Sequence, residues 1–131
     1  GKLSVLVGTD AWFAENYLLL QKKQAAILAV PAFSVGDNAW DSLWIGYNKG
    51  TMPADIDKKD ILKITTQEAW LKYAMTGKIG TTTLKKGVNV FLQGDLWNLG
   101  TNGNTLIWNN DKPIVATQTA PQTGSLINVW L

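Results

Sequence analysis

The 131-residue sequence contains no cysteine and no histidine. Their absence excludes thiol nucleophiles, disulfides, serine–histidine pairs and the common zinc sites in one step. Charge of one sign is not in excess either. Lysine plus arginine is 12 and aspartate plus glutamate is 10. The resulting net charge of +2 exerts little pull on nucleic acid, so no nucleic-acid partner is expected. No apolar run reaches the roughly 18 residues that a membrane-spanning helix needs, and these residues carry no signal-peptide pattern. The compartment is not legible, because reducing and oxidising environments both accept cysteine-free chains.

What is present suits a single folded domain over residues 1–131. Hydrophobic residues make up 46% of the chain, and no linker, repeat or low-complexity stretch divides it. Residues 3–7 read as a strand buried on both faces. Residues 14–24 read as a helix with Tyr17, Leu18, Leu20 and Gln21 at helical spacings, and Lys22 and Lys23 complement its dipole. Residues 26–30 form a second buried strand closed by Pro31. A strand, a helix and a strand in so short a span imply a crossover with parallel pairing.

Residues 32–60 are irregular and unusually long for a loop in a small domain. Thr65 and Glu68 have the spacing of a capping box, which starts a helix carrying Trp70, Tyr73, Ala74 and Gly77 on one face. A second helical piece is expected to run through Lys86 and end at Gly87. Strands follow over 88–93, 105–108, 113–118 and 126–130, with a turn at Asn109–Lys112. The class is α/β.

Several segments together carry a family resemblance. Val5-Leu6-Val7-Gly8-Thr9-Asp10-Ala11-Trp12-Phe13-Ala14-Glu15 is similar to the strand and turn that bear the nucleophile in the carbon–nitrogen hydrolase (nitrilase/amidase) superfamily. Asp10, Phe13 and Glu15 match, Trp12 is compatible, Ala14 replaces a proline, and Gly8 stands where the cysteine belongs. Residues 16–31, ending Ala29-Val30-Pro31, resemble the family's following helix and strand. Gly87-Val88 fall in register with a later strand, residues 103–116 resemble the next pair, and Gly124-Ser125-Leu126 resemble the closing one. Lys85 falls at a position usually occupied by glutamate, and Thr82 at one that is often arginine.

The resemblance implies part of a four-layer α-β-β-α sandwich. It also implies that the family's glutamate base and lysine belong to a first half of the domain that would precede this stretch. With glycine at the nucleophile position, the expected unit is catalytically inactive and serves binding or assembly. Gly8, Thr9 and Asp10 form the degenerate nucleophile region. Thr9 is the first candidate in the alternative reading, an active amidase or acyltransferase, whereas the plainer role for Thr9 and Asp10 is capping the next helix.

The seven tryptophans divide in two. Trp70, Trp108 and Trp130 suit a core, while Trp12, Trp40, Trp44 and Trp97 sit at strand ends or in loops. These last four are candidates for binding a small-molecule ligand, or, in a third reading, for a carbohydrate-binding or apolar-ligand-binding module. Packing the long loop onto the sheet is their plainer role. Asp55, Asp57 and Asp60 fall short of a calcium loop, since Lys58 and Lys59 oppose a cation, so a solvated turn is expected. No metal or cofactor is implied. Strands as apolar as residues 3–7 and 26–30 should not face water. A homo-oligomer, or association with the first half of the sandwich, is therefore expected.

Overall fold

The structure is a computed structural model that describes residues 1–36, 39–47, 51–93, 97, 100 and 103–116. It is a mixed α/β fold built on one five-stranded sheet in the order β1-β2-β3-β4-β5. The strands are β1 (Lys2–Val5), β2 (Ala25–Ala32), β3 (Lys86–Phe91), β4 (Thr105–Asn109) and β5 (Lys112–Ala116). The helices are α1 (Ala14–Lys22), α2 (Thr66–Tyr73) and α3 (Met75–Ile79). The first three strands run parallel, and β4 and β5 add antiparallel. The expected strand–helix–strand crossover is present as β1–α1–β2.

Local signals account for several elements. Thr65 accepts from the Glu68 amide at 3.2 Å, and the Glu68 carboxylate accepts from the Thr65 amide at 2.7 Å, completing the capping box of α2. The β4–β5 hairpin turns through Asn110 and Asp111, both at positive φ. A two-residue hairpin turn requires that conformation, and Asn and Asp tolerate it best after glycine.

Other expectations are corrected. Residues 3–7 are not buried on both faces: β1 is an edge strand, and Leu3 and Val5 are 65% and 53% exposed. Apolar composition marks a strand but does not say which edge it will occupy. In α1, Tyr17 and Leu20 turn inward while Leu18 faces out. Pro31 does not close β2, which continues to Ala32. The helix expected through Lys86 stops at Ile79, where the Thr81 and Thr82 hydroxyls donate to the Lys78 and Ile79 carbonyls at 2.7 Å each.

Gly87 lies inside β3 rather than at a helix end. A Cβ there would stand 2.7 Å from Ile79 and 2.8 Å from Met75, so glycine lets α3 approach the sheet closely. Lys86, the first residue of β3, is buried and donates to the Asn109 side chain. The strand expected at 126–130, with Trp130 and Gly124–Leu126, lies outside the described residues, as do positions 117 and 118.

The helices pack on one face of the sheet. Leu28 and Val30 of β2 and Trp108 of β4 meet Tyr17, Leu20, Met75, Ile79 and Leu84 in one cluster. Phe91 and Leu106 join Trp12, Trp40, Trp44, Trp70 and Tyr73 in a second. Registers show what occupies the opposite face. Val5 pairs with Ala29, Ala29 with Val88, Val88 with Ile107, and Ile107 with Ile114. This apolar row crosses all five strands. It is exposed at both ends, half-buried at Ala29 and Val88, and buried at Ile107.

Candidate functional site

Residues following β1 bend into a short 3-10 turn, Gly8–Trp12. Gly8 has φ +52°, a left-handed conformation that suits glycine, and nothing within 4 Å would meet a Cβ there. Ala11 and Trp12 are buried and anchor the turn, and the Tyr17 hydroxyl donates to the Ala11 carbonyl at 2.8 Å. Burial pushes the Tyr17 hydroxyl pKa well above the ordinary tyrosine range, so it remains a donor. Thr9 and Asp10 are exposed on this fixed turn.

The capping role expected of Thr9 and Asp10 is not what they do. Neither side chain caps the 3-10 turn or α1. Asp10 acts through its backbone carbonyl, which accepts from the Asn16 side chain at 2.9 Å and from the Phe13 amide at 3.3 Å. Phe13 occupies the N-cap of α1, so the helix begins three residues later than a cap at Asp10 would serve and four later than one at Thr9.

The four candidate tryptophans separate. Trp12, Trp40 and Trp44 are buried, not arrayed on an open rim. Trp12 lies at the centre of an aromatic cluster, with ring centroids 5.8 Å from Trp44, 5.7 Å from Tyr47, 5.2 Å from Trp70 and 6.2 Å from Tyr73. Backbone pairing brings the long loop onto α2. Trp44 and Ile64 bond at 2.8 Å, Thr66 and Ser42 at 2.9 Å, and Gln67 and Trp40 at 3.0 Å. The loop is thereby strapped down with Trp40 and Trp44 inside. Trp97 alone of the four is open, at 84% exposure, and holds φ +50°. Trp70 and Trp108 occupy the core, as expected.

The acidic segment is more than a solvated turn. Asp57 accepts from the Lys59 amide at 2.9 Å, Asp55 pairs with the buried Lys78, and Asp60 takes Lys72 at 2.6 Å together with the Tyr73 hydroxyl. Asp60 pins the loop to α2 and Asp55 pins it to α3, while Asp57 caps its own short turn, so the three do not converge on one cation.

No family model, curated protein or solved structure matches the chain. The site is therefore read from its own geometry. Lys85 forms an exposed ion pair with Asp111 at 3.6 Å, and the Thr82 hydroxyl accepts from the Leu84 amide at 3.1 Å. Both residues serve the turn before β3 and the hairpin beside it. What residue-by-residue reading missed is the apolar row ending at Val5 and Ile114. Period-2 parity along each strand carried the signal, but it becomes a surface only once the registers are known.

Lys72 holds the Asp60 carboxyl below the usual carboxylate range, assisted by the Tyr73 hydroxyl. A lowered folded-state pKa gives stability that is present above the unfolded value near 4 and lost as pH falls through the folded one. Asp60→Asn should therefore flatten the acid limb of the stability curve below about pH 4. Urea midpoints of parent and variant across that range check it, and unchanged curvature would show that Asp60 contributes nothing to the acid response.

Proposed function

We propose that this chain is a carbon–nitrogen-hydrolase-like α/β unit without a nucleophile, whose work is assembly through the sheet face opposite its helices. The observation that carries the reading is the apolar row from Val5 to Ile114 on the face opposite the helices. Sheets in layered α/β proteins hide one face under helices and the other against a further layer. Five strands about 4.8 Å apart span about 19 Å from first to last, enough to seat a second sheet. In a preparation of the 131-residue chain, that sheet comes from a second copy related by a two-fold axis, giving an α-β-β-α arrangement.

Support for the non-catalytic half of the reading comes from the turn after β1. The candidate nucleophile position is Gly8, and the chain offers no cysteine or histidine. Thr9 is exposed, but no side-chain base bonds to its hydroxyl among the described residues. An unassisted hydroxyl is a poor nucleophile near neutral pH. Incubation with amide and nitrile substrates is expected to give no hydrolysis above the buffer rate. Hydrolysis that Thr9→Ala abolishes would overturn this half of the proposal and favour the amidase or acyltransferase reading.

A further inference from the structure

Helix α1 is apolar on two opposite sides, and the chain covers only one of them. Tyr17 and Leu20 enter the core, whereas Leu18 and Leu19 are 66% and 53% exposed. Glu15, Leu18, Leu19 and Lys22 follow the i, i+3, i+4, i+7 spacing that aligns residues into one helical stripe. With Gln21 they line a shallow surface groove. Among the described residues, neither Glu15 nor Lys22 forms an ion pair.

The order of charges along this stripe decides what fits it. Its midpoint lies between Leu18 and Leu19, with the acid and the base equally far on either side, about 5 Å along the axis. We propose that α1 packs antiparallel against α1 of a second copy, about a two-fold axis passing between Leu18 and Leu19. Each leucine pair then meets its own copy at the centre. Glu15 faces Lys22 of the second copy, and the symmetry repeats that pair at the other end. A two-fold contact needs a self-complementary patch, and an acid–leucine–leucine–base stripe is one. Parallel pairing would set Glu15 against Glu15 and Lys22 against Lys22, so the charges select the antiparallel orientation. The opposed helix dipoles favour it too. This contact does not rest on the proposed sheet-face assembly, because α1 lies on the other side of the sheet.

Charge reversal tests it. Glu15→Lys makes both ends of the stripe basic, and Lys22→Glu makes both acidic, at exposed positions where far-UV circular dichroism can verify an unchanged fold. By sedimentation velocity, each variant alone should associate about tenfold more weakly than the parent and run at a lower mass than the parent at the same concentration. Whatever the sheet face does, only the α1 step is lost. An equimolar mixture of the two variants should recover the parental mass, since each basic stripe now faces an acidic one. A parent with no concentration-dependent association, variants that associate like the parent, or a mixture that stays at the lower mass would each overturn the proposal.

Discussion

Trp12→Ala should cost about 4 kcal/mol of folding stability, a large share of the roughly 5–15 kcal/mol that holds a domain of this kind together. Trp12 is 3% exposed and its ring meets Trp44, Tyr47, Trp70 and Tyr73, so truncation removes packing from the loop, α2 and the turn after β1 together. A cavity lined by rigid aromatic rings closes poorly, which places the cost toward the upper part of the range for large-to-small changes. Trp97→Ala is the control. Its side chain lies in solvent, so the change should stay within about 0.5 kcal/mol. Chemical denaturation of both variants distinguishes the roles. Equal effects would mean that Trp12 is not a core residue and that the aromatic cluster does not hold the loop.

The second large effect is expected at Asn89, which is fully buried in β3. Its side-chain nitrogen donates to the Val30 carbonyl at 2.9 Å, while its oxygen has no hydrogen-bond partner among the described residues. Asn89→Asp keeps the shape but offers a charge to a place with nothing to receive it. Burial then raises the new carboxyl's folded-state pKa above its unfolded value near 4. With that sign, the variant matches the parent below about pH 4, where the protonated acid can still donate to Val30. It loses stability as pH rises, by about 3 kcal/mol at pH 7. Melting temperatures of parent and variant at pH 4 and pH 7 test the sign as well as the size. A pH-independent difference would place the Asn89 oxygen in contact with solvent or a donor.

How far the sequence foretold this molecule depended on how local each signal was. The capping box at Thr65 and Glu68 and the Asn110-Asp111 hairpin were legible because their hydrogen bonds close within a few residues. The parallel β1–β2 pair followed from a short crossover around α1. Exposure was not legible in the same way. Trp12, Trp40 and Trp44 stand in loop and strand-end sequence, yet backbone pairing of residues 40–44 with residues 62–67 folds Trp40 and Trp44 inward, and Trp44 stacks on Trp12. β1 reads as a core strand by composition, but the strand order puts it at an edge. Gly87, read as a helix end, is a contact residue because α3 presses on β3. The turn Gly8-Thr9-Asp10 was placed correctly after a strand, but its side chains do not cap the helix that follows.

Because the chain has no native cysteine, one introduced thiol reports on one surface, and this gives the most direct test of assembly through the sheet face. Val5→Cys places that thiol at the exposed end of the apolar row, and Ile45→Cys places one on an exposed loop away from the sheet. Maleimide labelling rates would be measured for both across protein concentrations at which sedimentation reports the assembly state. The account predicts that labelling at position 5 slows in step with association while labelling at position 45 does not change. Labelling at position 5 that stays fast in an associated sample, or a chain that never associates, would contradict it.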